Sequence, residues 1–203
     1  MEEESDDELM IRLQSGDSSA FDVLVRRHQG GLIGFFMRNT RDIQFSEDLA
    51  QETLLKIYVQ HWDYLPLGRF KSWMYRIGRN LLVDNVRRHA HDALIRAVKR
   101  SSEEEQLGLA RLVAELIPPE AGIESSEVLA VVDDILAEIP PEQCETFTLH
   151  VYSELSLPEV AEITGVPLAT AKSRFRLARE KLKEKLQIRG FADLSGPEIP
   201  GSS

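Results

Sequence analysis

The sequence predicts an all-α protein in which two small helical domains are joined by a flexible acidic linker, with a helix-turn-helix in the second domain. Apolar residues recur at spacings of three and four almost throughout the chain, and no segment sustains the alternation of a β-strand. The pattern lapses over residues 101–126, where acidic residues, Ser, Gly and the Pro118-Pro119 pair dominate. A length of 203 residues suffices for two such domains, each with a modest apolar core.

The first domain is predicted over residues 1–95, with four helices. Ser46 is expected to cap the third helix, because a hydroxyl followed by acidic residues suits the positive end of a helix. Pro66 and Gly68 interrupt the chain before the fourth helix. The helices are expected at 6–15, at 18–38, from Ser46 onward and at 69–90.

The second half of the chain is divided by composition. A linker is predicted over residues 96–126, the helix-turn-helix domain over 127–190, and a disordered Gly/Pro/Ser-rich tail over 191–203. Gly190 is typical of a residue that follows the end of a helix. Helices of this domain are expected at 127–138, 142–152, 157–164 and 168–188.

The helix-turn-helix is indicated by a helix start and a turn at the right separation. Ser156 and Glu159 fit a capping box, in which each side chain bonds the backbone N–H of the other. Gly165 allows a sharp turn, and Val166-Pro167 begins the next helix. In that helix, four residues at spacings of three and four are expected to face inward: Ala171, Phe175, Ala178 and Leu182.

The opposite side of this helix is polar and basic, carrying Lys172, Ser173, Arg176 and Arg179. Such a face on the second helix of a helix-turn-helix reads base edges in the major groove, while later cations contact phosphates. The alternative is a basic surface helix in a four-helix domain. Because the capping box, Gly165 and the basic face occur together, the sequence favours DNA binding over a basic surface helix.

The net charge of −10, from 34 acidic and 24 basic residues, by itself argues against a nucleic-acid partner. The basic residues are concentrated, however: residues 69–100 hold nine basic and two acidic side chains, and residues 170–190 hold eight and two. Twelve acidic residues and one basic residue lie in 101–145. Because the Debye length is about 8 Å at physiological salt, each block acts locally. Charge alone favours solvated helix faces, so the choice depends on the motifs.

The first basic block mixes cations with aromatic residues, a combination that holds single-stranded nucleic acid. Helical periodicity nevertheless places Phe70 and Trp73 in the core. The loop at 63–68, just before this helix, is by position a candidate pocket for a flipped base.

A strip of acidic and polar residues is expected on the third helix at Asp48, Gln51 and Glu52, with apolar Leu55 beside it. It could dock a basic partner helix, although such strips usually face only solvent.

Other classes of protein are disfavoured. Cys144 is the one cysteine, so no internal disulfide forms, and the His and Cys spacings do not suit a metal site. No phosphate-binding Gly loop or nucleophile elbow occurs, so neither an enzyme nor a bound cofactor is expected. No apolar run reaches the roughly 18 residues of a membrane span, and the acidic N-terminus is unlike an export signal. We therefore expect a cytoplasmic protein without membrane insertion.

Three segments in this order resemble the signatures of sigma-70 family RNA polymerase sigma factors, in their extracytoplasmic-function (ECF) group. They are DLAQETL at 48–54, FKSWMYRIGRN at 70–80 and VPLATAKSR at 166–174. The resemblance covers residues 6–90 and 127–188. It implies a protein that binds core RNA polymerase, directs promoter recognition and melts DNA at initiation. Free members are often held inactive by an anti-sigma factor, which is therefore also expected as a partner.

The resemblance also implies roles for individual residues. Contact with core polymerase would involve Asp48, Leu49, Gln51, Glu52 and Leu55. Promoter −10 DNA would be bound by Arg69, Lys71, Arg76, Arg79, Asn80 and Arg87. The −35 element would be read by Thr170, Lys172, Ser173, Arg176 and Arg179. The acidic linker would follow the RNA channel of the polymerase.

Two other functions stay open at this point. One is a stand-alone helix-turn-helix regulator that binds duplex DNA as a dimer, and the other is an interaction module that sequesters another factor. The first domain discriminates between them, because a simple regulator needs neither the strip on the third helix nor the arginine-rich fourth helix.

Overall fold

A computed structural model of the chain describes residues 4–99 and 125–190, including the side chains of residues 4–88 and 130–190. Within these residues the fold is entirely helical and in two regions, which confirms the predicted class. The α-helices are α1 (Asp6–Gln14), α2 (Ser19–Thr40), α3 (Ile43–Val59), α4 (Phe70–Lys99), α5 (Ser125–Glu138), α6 (Pro141–Phe147), α7 (Leu157–Thr164) and α8 (Leu168–Ile188). A 3-10 turn spans His61–Asp63, and a π-helical turn spans Thr148–Tyr152.

The start of α3 and the end of α4 are two boundaries that differ clearly from the sequence prediction. Helix α3 starts a turn earlier than expected, because the Asp42 carboxylate accepts a hydrogen bond from the Phe45 N–H at 3.0 Å and caps it. Ser46 is buried inside the first turn and donates to the Asp42 carbonyl at 2.6 Å. Helix α4 continues to Lys99, into the first residues of the predicted linker. The rest of that linker up to residue 124, and the predicted tail, lie outside the described residues.

The first region is held together where α2, α3 and α4 cross. Phe36 and Leu49 are fully buried, together with Met74 and Leu81 of α4. At Gly78 a β-carbon would lie 3.0 Å from the Phe36 ring, a tight contact that glycine avoids at this close approach of the helices. Helix α1 lies along α2 and buries Leu9, Met10 and Leu13.

The second region contains the expected helix-turn-helix. Helices α7 and α8 have the predicted bounds, and both hydrogen bonds of the Ser156–Glu159 capping box form. Gly165 ends α7 in the left-handed conformation, with φ of 69°. Ala171, Ala178 and Leu182 of α8 are buried, as their periodicity predicts.

The two regions pack against each other. Leu149, Leu155, Val160 and Ile163 of the second region belong to the same buried apolar cluster as the core of the first. Helix α7 contacts α4, while α5, α6 and the π-helical turn contact α2. The relative position of the regions, which the sequence leaves open, is therefore one in which the second region covers part of α2 and α4.

The left-handed turn yields a stability prediction. Gly165→Ala should lower the free energy of unfolding by about 1 kcal/mol, because an L-residue is strained at positive φ. A β-carbon at position 165 would meet no atom within 4 Å, so backbone strain is the whole cost. Gly30→Ala is the control: it lies within α2, also in open space, and should instead raise stability by up to about 1 kcal/mol. Chemical denaturation measures both, and a Gly165→Ala protein as stable as the parent would contradict the assignment.

Candidate nucleic-acid and protein interfaces

The acidic strip forms on the outer face of α3. Asp48 and Gln51 are exposed and Glu52 is half-buried; Gln51 and Glu52 each lie about one helical turn from Asp48. Leu55 extends the strip and is 62% exposed. Leu49, which the family resemblance groups with these residues, is only 1% exposed. Leu49 is therefore not part of the strip; it packs in the core beneath it because it lies on the inward face of α3.

Apolar side chains continue the strip toward the end of α3. Tyr58 and Val59 are exposed, and so is Trp62 in the following 3-10 turn. An apolar patch next to acidic residues suits a partner helix with an apolar stripe and basic flanks. Helical periodicity predicts the polar part of this surface. The apolar part could not be predicted, because only the structure shows that these three large side chains are exposed.

Most of the cations predicted on α4 lie on the side opposite Met74 and Leu81, but Lys71, five residues before Arg76, lies about 140° around the helix from it. Arg69 and Arg76 are exposed together with Asn80 and Arg87, while Lys71 and Arg79 are half-buried. Phe70 is buried, and its ring packs 6.2 Å from the ring of Trp73 and 5.8 Å from that of Tyr64. Phe70 belongs to the core, as its periodicity predicts. Trp73, three residues before Arg76, is half-buried and packs against the core from the edge of the cationic side.

Acidic side chains of the second region cover three of the α4 cations. Lys71 Nζ lies 2.6 Å from Glu154 Oε2, and Arg79 Nε lies 2.9 Å from Glu145 Oε1. Arg69 Nη1 lies 3.5 Å from an oxygen of Glu162. The hydrogen bond from Lys71 holds the pKa of Glu154 below its ordinary value. Sequence analysis missed these carboxylates, because separate elements of the second region carry them and no motif unites them.

These ion pairs differ in burial. The Arg69–Glu162 pair is exposed on both sides, and such pairs contribute only about 0.2–1 kcal/mol. The Arg79–Glu145 pair is more enclosed, with side chains 22% and 13% exposed. Opening the contact between the regions exposes apolar surface on α7 and the π-helical turn and separates two enclosed ion pairs, Arg79–Glu145 and Arg38–Asp133.

The basic face of α8 points away from these contacts. Lys172, Ser173, Arg176 and Arg179 are exposed, and Thr170 is half-buried. Arg176 Nη1 makes a 2.6 Å ion pair with Glu180 one turn along the same helix, and the face is otherwise open. The helix-turn-helix thus presents the polar face that its sequence predicts, held by the buried alanines behind it.

Other kinds of site receive no support from the described residues. No group of three His, Cys, Asp or Glu side chains in them is arranged to hold a metal ion. None of their helices combines the length and the apolar character needed to cross a membrane. Cys144 is buried, and burial raises the pKa of its thiol, which makes it a poor nucleophile.

Comparison with known proteins agrees with this geometry. Residues 24–92 match Sigma-70 region 2, and residues 129–182 match Sigma-70, region 4. The RNA polymerase sigma-H factor of Pseudomonas aeruginosa is 30% identical over 189 residues, covering 91% of this chain and 95% of that protein. The chain belongs to the sigma-70 family of RNA polymerase sigma factors.

The sigma factor falls within the ECF group. It is 28% identical to the ECF RNA polymerase sigma factor SigW of Bacillus subtilis over 188 residues, covering 89% of this chain and 98% of SigW. The fold is similar to that of the sigma factor RpoE solved in complex with the anti-sigma factor NepR from Bartonella quintana. That likeness has a TM-score of 0.66 at 22% identity, over 83% of this chain and 97% of RpoE.

The family defines the function that the sequence motifs predict. The protein is a sigma factor that directs RNA polymerase in transcription initiation. The region 2 match lies on the first region, which carries the strip and the basic helix. Nothing in the comparisons favours a stand-alone helix-turn-helix regulator.

Proposed function

We propose that this sigma factor acts through three separate surfaces: the strip on α3 for core RNA polymerase, the basic face of α4 for −10 DNA and the basic face of α8 for the −35 element. The observation that carries the proposal is that one chain presents an acidic-apolar surface and two cationic helix faces, on different helices. Catalytic chemistry belongs to the core polymerase, and the sigma factor supplies specificity. The cytoplasm is the proposed location, because polymerase and promoter DNA are there.

The polymerase surface consists of Asp48, Gln51, Glu52 and Leu55. The two acidic groups can orient a basic partner surface by charge complementarity. The exposed leucine beside them adds apolar area that is buried when the partner binds. Leu49 supports the strip from the core without facing the partner.

The −10 surface comprises Arg69, Lys71, Arg76, Arg79, Asn80 and Arg87. Three of these cations, Arg69, Lys71 and Arg79, form ion pairs with Glu162, Glu154 and Glu145, and these pairs compete with phosphate binding. We therefore propose that the second region leaves α4 before −10 DNA binds. Core polymerase, by holding the regions apart, would convert the closed sigma factor to a DNA-binding one.

The −35 surface comprises Thr170, Lys172, Ser173, Arg176 and Arg179. Its exposure supports a role in duplex binding that does not need the regions to separate. An anti-sigma factor is a further proposed partner, by analogy with the RpoE–NepR complex.

Polymerase binding is tested by reversing the charge of the strip. Asp48→Arg combined with Gln51→Ala should weaken binding to core RNA polymerase at least about tenfold, because like charge then faces the basic partner surface. Asp22→Arg with Gln29→Ala makes the same chemical change on exposed positions of α2 and should leave binding intact. Co-elution with core enzyme and a titration measure the effect. Equal affinity of the two double variants would contradict the assignment.

Base reading at the −35 element is tested at Arg176. Arg176→Ala should cost about 1–3 kcal/mol on a cognate −35 sequence and reduce discrimination against altered sequences. Lys183→Ala, an exposed change further along α8, should weaken all sequences about equally and reduce the salt dependence. Holoenzyme binding to promoter fragments measures both. A loss at Arg176→Ala that is the same for every −35 sequence would make Arg176 a phosphate contact.

Covering of the −10 surface is tested by removing acidic charge. Glu145→Gln with Glu154→Gln should increase the affinity of the free sigma factor for a single-stranded −10 oligonucleotide several-fold at low salt, because glutamine keeps the size but not the charge. Glu142→Gln with Glu184→Gln changes the net charge equally at exposed positions away from α4. Fluorescence anisotropy of a labelled oligonucleotide gives both affinities. If the two double variants gain equally, net charge and not uncovering explains the effect.

A further inference from the structure

The segment joining α3 to α4, residues 60–69, is unusual in its exposed apolar content. We name it the α3–α4 loop. Trp62, Leu65 and Leu67 are 67%, 69% and 72% exposed. The segment ends at Arg69, the first cation of the proposed −10 surface. Apolar and aromatic side chains next to a cationic track are what an unstacked base needs when its phosphates lie on that track.

Few bonds within the α3–α4 loop define its shape. Besides the 3-10 turn, its local backbone bond is Leu67 N–H to the Leu65 carbonyl at 2.9 Å. Gly68 has φ of 70°, a conformation that glycine adopts without steric cost. The buried Tyr64 ring anchors the middle of the loop in the core. The three exposed apolar side chains add little packing, so hydrogen bonds from outside the loop are needed to fix the segments on either side of Tyr64.

Helix α1 provides that support. The Asp7 carboxylate accepts a hydrogen bond from the Gly68 N–H at 2.6 Å and another from the Tyr64 hydroxyl. Gln14 Nε2 donates to the carbonyls of His61 and Tyr64 at 2.7 and 2.9 Å. The 3-10 turn at the start of the loop and Gly68 near its end are thus both hydrogen-bonded to α1. Two of these bonds use a charged acceptor, which makes them stronger than neutral ones.

Helix α1 is itself firmly attached to the first core. Asp6 lies 2.6 Å from Arg27 Nη1 and 2.9 Å from His28 Nε2 of α2. Burial of the Asp6 carboxyl raises its pKa. The hydrogen bonds from His28 and Arg27 together lower the pKa by more than burial raises it, so the pKa of Asp6 lies below its ordinary value. The apolar side of the helix is buried on α2. Asp7 and Gln14 therefore project from a rigid element.

We propose that Asp7 and Gln14 are positioning residues for promoter opening, which hold the α3–α4 loop in the shape that receives an unstacked −10 base. The inference rests on the proposed role of the α4 face in −10 binding. These residues act through Tyr64, His61 and Gly68 and do not themselves contact DNA. A preformed loop loses less conformational entropy when a base binds, so support from α1 favours the open complex.

Asp7→Ala and Gln14→Leu test the proposal in reconstituted holoenzyme. Each should reduce open-complex formation on duplex promoters about tenfold, with discrimination among bases at the −10 element also reduced, while core binding stays unchanged. Asp22→Ala and Gln29→Leu, on exposed positions of α2, are the matched controls. Retained opening and retained base discrimination in both α1 variants would overturn the proposal.

A spectroscopic readout separates positioning from a general loss of structure. Trp62 and Trp73 are the two tryptophans, so in a Trp73→Phe background Trp62 alone reports on the loop. Asp7→Ala should lower the steady-state anisotropy of Trp62 while the helical circular dichroism stays the same. Unchanged anisotropy would show that Asp7 does not fix the loop.

Tyr64→Phe removes the same hydrogen bond without altering α1, so the test stands even if the Asp7 variant folds poorly. The Tyr64 ring, only 4% exposed, would stay packed against Phe70 and Trp73. When Tyr64→Phe is combined with Asp7→Ala, it should cause little further loss of opening, whereas additive losses would contradict a shared hydrogen bond.

Arg76→Ala, in the proposed −10 surface, distinguishes failure of this inference from failure of the −10 assignment. If it impairs opening and the α1 variants do not, only this inference fails; if it too has no effect, the −10 assignment fails.

Discussion

Gly78 allows α4 to lie close enough to α2 and α3 for all three helices to share one core. A β-carbon at this position would lie 3.0 Å from the Phe36 ring, which is a tight contact. The close crossing buries Met74 and Leu81 and fixes the rotation of α4 about its axis. Because residues on a helix are placed at fixed angles, the same rotation turns Arg76 and Asn80 outward. The basic face is therefore positioned by packing on the opposite side of the helix.

Under the proposed function, the cations of α4 exchange one set of partners for another. In the closed sigma factor, Glu145 and Glu154 pair with Arg79 and Lys71, two cations that are proposed to bind phosphates. We expect these pairs to keep an acidic chain with two basic helices from binding nucleic acid indiscriminately. The α8 face has no such cover in the described residues beyond Glu180 of its own helix. The two proposed promoter surfaces are therefore expected to differ in how far they depend on polymerase.

The family match and the physical features identify the same parts of the chain. The region 2 match includes the α3 strip, the exposed loop and the basic part of α4, while the region 4 match includes most of the helix-turn-helix. Helix α1 precedes the region 2 match, and yet its Asp7 and Gln14 bond the loop directly. The hydrogen-bonded unit of the first region therefore extends beyond the matched segment.

Local chemistry made much of this protein predictable from sequence. The bounds of α7 and α8 follow from Ser156, Glu159 and Gly165, because capping and left-handed turns depend on near neighbours. Periodicity likewise places Trp73 against the core and the cations outside. The capping residue of α3 was predicted less well. Both Asp42 and Ser46 can cap a helix, and Asp42 is the one that has the capping geometry.

The sequence by itself determined the helical class, the helix-turn-helix and the polar faces, since each depends on residues a few positions apart. Only the tertiary structure decided that Leu49 is buried, that Glu145 covers Arg79 and that Asp7 bonds Gly68. The latter two contacts join residues separated by 66 and 61 positions. No local spacing encodes such pairs, because they exist only once apolar burial has brought the helices together.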